Sequence, residues 1–187
     1  FEFMNDSINN VYAYRNLSYI EKMARHEYVS SLYVYDLKEG RSDLFFKNLA
    51  SCECVIAEGR KASIYSGMGQ DLDIRSKNWF ETPAGSATEY VNKYMRGTQI
   101  PLLKLSEMYL IAAEASGDIR YLETLRANRG YATDPLPAGA NLQDEITKEY
   151  QKEFIAEGQL FYYYKRRNMA ILPITSTSMN RATYVLP

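Results

Sequence analysis

The segment Ile100–Ala115, with the sequence IPLLKLSEMYLIAAEA, constrains the fold more than any other part of the chain. Its pattern predicts one buried helix with Pro101 in the first turn, where the missing N–H of proline costs nothing. Leu102 and Tyr109 fall on the same face, and Gly117 is predicted to end the helix in a left-handed conformation. Charged residues leave only a narrow polar stripe, so we expect the helix to be covered on more than one side, as in a stack of helices.

The helical pattern continues downstream of this segment. Asp118 can cap a second helix over Ile119–Asn128, in which Tyr121, Leu122 and Leu125 are predicted to face inward. Because the connection between the two helices is tight, they are expected to run antiparallel as an αα-hairpin.

A third helix is predicted after a linker at Tyr131–Ala140, which contains two prolines and a glycine. Asn141 can cap this helix, which runs from Leu142 to about Gly158. Gly158 is expected either to interrupt or to bend it before it continues over Gln159–Asn168.

Residues 1–99 are predicted to be loop-rich, in contrast to the helical residues 100–187. The pattern indicates a short helix around Ser18–His26 and a strand at Val29–Leu37, where Val and Tyr are frequent. From Ser66 to Ala87 glycine and polar residues dominate, which indicates a long surface loop. Long loops in compact domains are often functional.

Length and charge limit the classes of function. A chain of 187 residues suffices for one domain with a substantial core. Its 22 basic and 23 acidic side chains are mixed along the sequence and give a net charge of −1. A basic face is therefore not indicated, and nucleic acid is not an expected partner. No apolar run approaches the roughly 20 residues of a membrane span.

Metal and nucleophile sites are not indicated by the sequence. His26 is the only histidine, and the sequence offers it no partner of the Ser–His–Asp kind. Cys52 and Cys54 are too close for an easy mutual disulfide in a strand, and a metal site would need further ligands nearby. We expect two buried free thiols, no catalytic residues, no metal and no cofactor.

An acidic stripe on the third predicted helix has two interpretations. Glu149, Glu153 and Glu157 stand at i, i+4 and i+8, and paired carboxylates are the catalytic groups of glycosidases. Carboxylates on one helix face cannot flank a sugar ring from opposite sides, however, and they repel one another unless they are paired. The favoured interpretation is neutralisation between packed helices by one or more of three arginines: Arg126, Arg129 and Arg166.

Aromatic residues around the predicted polar loop are the candidates for ligand contact. Trp79 and Phe80 follow Asn78, and Tyr65 and Tyr90 flank the same loop. Such rings can stack on the C–H faces of a sugar while amide groups bind its hydroxyls. The alternative is that Trp79 pins the loop to the core, since large rings are highly buried on average.

Three stretches in a fixed order carry a resemblance to a known family. They are IPLLKLSEMYLIAAEAS at Ile100–Ser116, YLETLRANRGY at Tyr121–Tyr131 and EYQKEFIAEGQLFYYYKRR at Glu149–Arg167. A proline-led helix ending in Ala-Glu-Ala, paired arginines before a glycine, and spaced glutamates before aromatics and a closing Arg together resemble the SusD/RagB family. These are nutrient-binding outer-membrane lipoproteins of Bacteroidetes. The chain differs from the family pattern at Leu160 and Tyr163, where an Arg and an Asp are usual.

The resemblance implies a mainly α fold, with αα-hairpins of the tetratricopeptide type in a SusD-like superhelix and long irregular loops. It implies that residues 1–187 are the C-terminal part of a SusD-like domain whose N-terminal half and lipid anchor lie outside this chain. The implied function is non-catalytic binding of an oligosaccharide or peptide at the cell surface. The implied partner is a TonB-dependent, SusC-like transporter in the outer membrane.

Two other classes of function remain as alternatives. A helical-repeat scaffold that binds partner peptides would show a repeat of ~34 residues, and no such repeat is visible in the sequence. A glycoside hydrolase would require two facing carboxylates in one cleft, which the acidic stripe does not predict.

Overall fold

A computed structural model describes residues 19–33, 56, 59–65, 73–82, 89–93, 99–131 and 135–172. Within these ranges a little over half of the residues are helical, and two small antiparallel sheets accompany the helices. The helix-rich character predicted from the sequence is therefore confirmed. Two predictions concern parts of the chain that lie outside the described residues. These are the predicted thiols Cys52 and Cys54, and residues 66–72 and 83–87 of the predicted loop.

The segment that led the sequence analysis divides into a strand and a helix. Strand β4 (Gln99–Lys104) pairs antiparallel with β1 (Tyr28–Tyr33), and Pro101 lies opposite Ser31. The prediction of a helix that begins at Pro101 was wrong. Proline disfavours the helical conformation in the residue before it, which here extends Ile100 into the strand. The helix begins only after Lys104.

Helices α4 (Leu105–Ser116) and α5 (Ile119–Arg126) form the predicted antiparallel hairpin. Gly117 ends α4 with a φ of 69°, a left-handed conformation that glycine adopts at little cost. The Asp118 carboxylate accepts a hydrogen bond from the backbone N–H of Arg120 and so caps α5. Both turn signals in the sequence were therefore interpreted correctly.

Helix α4 packs against α5 and against the helix at Leu142–Glu153, so the expectation that it is covered on more than one side is confirmed. Leu110 and Ala113 are fully buried, whereas Met108 and Ile111 are exposed. On α5, Leu122 and Leu125 face inward as predicted, but Tyr121 is exposed and packs edge-to-face against Tyr109.

The chain leaves α5 through a single wide helical turn, Ala127–Tyr131, which Gly130 ends with a φ of 105°. Helix α6 (Leu142–Glu153) follows, and the side chain of Asn141 caps it by accepting hydrogen bonds from the N–H groups of Gln143 and Asp144. Helix α7 (Gln159–Arg166) begins after Gly158, so of the two expectations for this glycine the structure shows the interruption. Helix α6 itself ends at Glu153, so the prediction that it runs to about Gly158 and carries Glu157 was wrong.

The first half of the chain supplies short elements. These are α1 (Tyr19–His26), α2 (Arg60–Ile64), α3 (Ile74–Asn78), β2 (Phe80–Glu81) and β3 (Tyr90–Val91), with β2 and β3 paired antiparallel. Part of the predicted surface loop is thus an ordered helix–strand segment. Asp73 caps α3 and is fully buried with Arg75, which a solvated loop would not bury.

Two apolar clusters hold these elements. The larger, here called the helical core, joins α4, α5, α6 and α7 through Leu110, Leu122, Leu125, Ile146, Phe154, Tyr163 and neighbouring residues. The smaller, the aromatic core, consists of Met23, Tyr28, Tyr65, Trp79 and Phe80. No helix in the described ranges is both long and apolar enough to cross a lipid bilayer.

Two leucines test the division between buried and exposed surface. Leu122 lies at 0% exposure in the helical core, whereas Leu102 is 48% exposed on β4. Leu122→Ala should lower the free energy of unfolding by about 2–5 kcal/mol, because it leaves a cavity. Leu102→Ala should cost about 1 kcal/mol or less. Denaturant unfolding measures both, and equal losses would contradict the placement of Leu102.

Candidate functional site

A connected set of buried charges lies between the two cores. The carboxylates come from the α1–β1 turn, the cap of α3, and the end of α6 with the turn after it. The cations come from several elements. Two lie on helices α3 and α6, two lie at or just past the ends of strands β3 and β4, and two lie at the end of α5 and in the wide turn after it. Its members are Glu27, Asp73, Arg75, Lys93, Lys104, Arg126, Arg129, Glu149, Lys152, Glu153 and Glu157.

Arg75 lies at the centre of this network. Its guanidinium donates to both carboxylate oxygens of Asp73, at 3.0 and 2.8 Å. It also reaches Oε2 of Glu149 at 2.8 Å and Oε2 of Glu153 at 3.1 Å. Because α3 is only five residues long, these contacts to α6 fix its position. Asp73 accepts a further bond from the hydroxyl of Tyr131 at 3.1 Å.

Arg129 connects the wide turn after α5 with two other elements. Its Nη1 and Nη2 atoms donate to the two oxygens of Glu27 at 3.1 and 2.6 Å. Its Nε and Nη2 atoms donate to Glu153 at 3.2 and 3.3 Å. The planar guanidinium suits such paired contacts, since its donors match the two oxygens of a carboxylate.

Glu149 is surrounded by three cations. Besides Arg75, it accepts from Nζ of Lys152 at 2.9 Å and from Nη1 of Arg126 at 3.4 Å. Lys152 and Arg126 also lie over the ring of Tyr131, at 4.9 and 4.6 Å from its centroid. The ring thus adds attraction for cations that have lost water.

Lys93, Lys104 and Glu157 form the other end of the network. The Nζ atoms of both lysines donate to Oε1 of Glu157, Lys104 at 2.7 Å. Both also donate to the backbone carbonyl of Glu153. Lys93 lies 3.8 Å from the centroid of the Trp79 ring and Lys104 lies 4.1 Å from that of Phe154, so this group joins the two cores.

The surrounding cations keep Glu149 and Glu153 ionised. Burial alone would raise the pKa of Glu149, but Arg75 and Lys152 lower it to about 2. Burial likewise opposes ionisation of Glu153, yet Arg129, Lys104 and Arg75 hold its pKa well below the ordinary value. Burial lowers the pKa of Lys93 to about 7, although Glu157 opposes that shift.

The low pKa values of Glu149 and Glu153 do not suit a general acid, which needs a pKa near the working pH. The described ranges also contain no group of three or more His, Cys, Asp or Glu side chains placed to hold a metal ion. What the network can do is fix the relative positions of the segments that it joins.

Part of this arrangement was predicted from the sequence. Pairing of the stripe with Arg126 and Arg129 is confirmed. The third candidate was wrong, because Arg166 lies on α7 and pairs at the surface with Glu114 of α4. The sequence interpretation missed Arg75, Lys93 and Lys104. The only local signals were Asp73 two residues before Arg75, and Lys104 within the apolar run that precedes α4.

The predicted ligand residues lie together, but in the protein interior. Trp79, Phe80 and Tyr65 belong to the aromatic core, and Tyr90 is buried on the strand paired with Phe80. Asn78 is half-buried, and its amide donates to the carbonyl of Ile74 at 2.6 Å. The Trp79 ring is 1% exposed, which agrees with the alternative that it pins this segment to the core. Ligand contact by these five residues stays a prediction.

No family model, curated protein or solved structure matches the chain.

Arg129 tests the energetic weight of the network. Arg129→Met removes one partner of the buried Glu27 and one partner of Glu153, and should lower the free energy of unfolding by about 3–5 kcal/mol. The matched change Arg166→Met removes an exposed pair with Glu114 and should cost about 1 kcal/mol or less. Chemical denaturation of both variants measures the difference. A loss of similar size in both would contradict the assigned role of Arg129.

Because the pKa of Glu149 is low, the free energy of unfolding is expected to depend on pH in the acidic range. In the unfolded chain Glu149 takes up a proton near its ordinary pKa of 4.5, whereas in the folded chain it does so near 2. Its contribution, about 3 kcal/mol, is therefore fully present above pH 4.5 and lost as the pH falls towards 2. Denaturant unfolding across this range should show the decrease. Glu149→Gln should weaken the dependence, and an unchanged profile in that variant would contradict the assignment.

Proposed function

We propose that the chain is a non-catalytic nutrient-binding component of an outer-membrane, TonB-dependent uptake complex. In this proposal it belongs to the SusD/RagB class of cell-surface lipoproteins, with an oligosaccharide as ligand and a SusC-like transporter as partner. Its helical hairpins are then of the tetratricopeptide type, as the resemblance implies.

One observation carries the proposal: the three stretches that resemble the family contact one another in the buried network. The paired arginines of the second stretch, Arg126 and Arg129, bind the spaced glutamates Glu149 and Glu153 of the third. Lys104 of the first stretch binds Glu157 of the third. The members of such a network depend on one another, because removal of one takes a partner from a buried opposite charge.

The state of the acidic stripe favours binding over hydrolysis. A glycoside hydrolase needs one carboxyl group with a raised pKa to protonate the leaving group. Glu149 and Glu153 have lowered pKa values and are enclosed by arginine and lysine. No observation favours the helical-repeat scaffold, because α4 and α5 make a single hairpin within the described residues.

Exposed rings offer a glycan stacking faces in the described conformation. Tyr33, Tyr121 and Tyr162 are 65%, 40% and 60% exposed. The rings predicted from the sequence, Trp79 and Tyr90 among them, are covered in this conformation. Ligand contact by those rings requires that the segment carrying them moves away from the helical core.

A binding assay with a parallel search for cleavage tests the proposal. The chain is incubated with a panel of oligosaccharides and of peptides, and both retention and product formation are measured. We expect retention of at least one oligosaccharide with no cleavage. Product formation would overturn the non-catalytic assignment, and retention of peptides alone would favour the peptide-binding alternative.

Alanine variants locate the contact once a ligand is found. Tyr162→Ala should weaken binding by about tenfold if that ring stacks on the sugar, since stacking is worth roughly 1–1.5 kcal/mol. Tyr121→Ala and Tyr33→Ala serve as matched comparisons on other surfaces. If none of the three changes affinity, these surfaces are excluded and the covered rings become the remaining candidates.

A further inference from the structure

The cluster of Lys93, Lys104 and Glu157 holds two lysine side chains against one carboxylate oxygen. Both Nζ atoms donate to Oε1 of Glu157 and to the backbone carbonyl of Glu153, and both lysine side chains are nearly fully buried. The Glu153 carboxylate is farther away, with Oε1 3.8 Å from Nζ of Lys104. Like charges held this close in a buried site repel each other. One neutral amine would relieve the repulsion and could still donate a hydrogen bond to Glu157.

Lys93 faces groups from several elements. Glu157 lies on the turn after α6, and Lys104 approaches from the end of β4. Glu153, at the end of α6, presents its backbone carbonyl, and the charge of its carboxylate raises the pKa of Lys93. The ring of Trp79 covers Nζ of Lys93 from the side of the aromatic core. Glu107 of α4 interacts with Lys104 and Glu157, and burial raises the pKa of its carboxyl group.

A second observation concerns Trp79 itself. Its indole Nε1 is buried and has no hydrogen-bond acceptor among the described residues. A buried N–H without an acceptor loses the hydrogen bond that it would make with water, and nothing replaces it. The packed position of Trp79 is therefore held at a cost, and water or a ligand hydroxyl could accept this bond if the ring were released.

We propose that Lys93, Lys104 and Glu157 form a proton-controlled latch, which holds Trp79 and the paired strands β2 and β3 against the helical core and releases them when Lys93 takes up a proton. The strands move with Trp79, because Asn92 N donates to the carbonyl of Trp79 at 2.8 Å and Phe80 pairs with Val91. The closed form contains Lys93 as a neutral amine. In the open form Lys93 reaches water as an ammonium.

The direction of the pH dependence follows from the two forms. In the closed form the pKa of Lys93 is lowered to about 7, and in the open form it returns towards the ordinary 10.5. Closure is therefore favoured increasingly as the pH rises from 7 to 10.5, and this group adds no further dependence below 7. Between about pH 7 and about pH 9 the open-to-closed ratio should fall by about 50-fold.

The latch stands on the geometry of the cluster and does not require the proposed function. Where that function holds, the open form is the one in which Trp79, Phe80 and Tyr90 become accessible to a glycan. Binding through these rings would then tighten as the pH is lowered from about 9 to about 7. If binding is independent of pH, the exposed tyrosines are the contact residues instead. The latch itself is then decided by the quenching experiment described next.

The single tryptophan of the chain makes a direct test possible, because all tryptophan fluorescence comes from Trp79. Acrylamide quenching is measured on the full chain at about pH 7 and about pH 9, with helical content followed by circular dichroism. We expect stronger quenching at the lower pH with unchanged helical content. Equal quenching at both values, or a change that coincides with loss of helix, would overturn the latch.

Two variants separate Lys93 from other lysines. Lys93→Met should give weak quenching at both pH values, because its side chain is never charged. Lys148→Met, which removes an exposed lysine from α6, should keep the pH dependence of the parent chain. Persistence of the dependence in Lys93→Met would overturn the proposal.

Nuclear magnetic resonance provides a measurement that does not depend on a variant that folds. Titration of the lysine side-chain carbons in the parent chain should reveal one lysine with a midpoint near 7, and spectra of Lys93→Met, if folded, assign it. If every lysine titrates near its ordinary value of about 10.4, the neutral closed form does not exist and the latch is excluded.

Discussion

The rest of the structure depends on the contacts of one guanidinium group, that of Arg75, with carboxylates from two segments. Asp73, Glu149 and Glu153 all bind it, and every partner is fully buried. Burial of charges is costly unless each has a partner, so the network tolerates only one arrangement of α3 against α6. Arg129 extends the same constraint to Glu27, between α1 and β1. Short elements that could not fold alone are thereby fixed to the helical hairpin.

The network also explains how two apolar clusters of different composition are joined to each other. The helical core is built from aliphatic residues and rings on α4 to α7, whereas the aromatic core gathers short segments around Trp79. Between them lie lysine side chains that contact a carboxylate on one side and a ring on the other, as Lys93 does with Glu157 and Trp79. The strength of this junction depends on charge state, which an entirely apolar junction would not allow. This feature links the structural role of the network to the proposed binding role of the rings.

Local signals predicted the parts of the fold that local chemistry decides. Asp118 and Asn141 cap helices because their short side chains reach the free N–H groups of the first turn. Gly117 ends a helix because it adopts a left-handed conformation without strain. The strand at Gln99–Lys104 was not predicted, because its partner lies about seventy residues earlier and its apolar residues also suit a helix. The sequence predicted that arginines would pair with the acidic stripe. It did not predict the role of Arg75, because the residues around Arg75 do not indicate that its side chain is buried.

The sequence by itself determined the α4–α5 hairpin, the starts of α5 and α6, the break before α7 and the need of three spaced glutamates for cationic partners. Each of these follows from backbone hydrogen bonding or charge repulsion within one segment. Only the tertiary structure decided which cations bind those glutamates, and that the rings around Trp79 lie inside. Burial and ion pairing are properties of segments brought together from distant parts of the chain. Their free energies depend on the surroundings that the other segments create, which no local pattern contains.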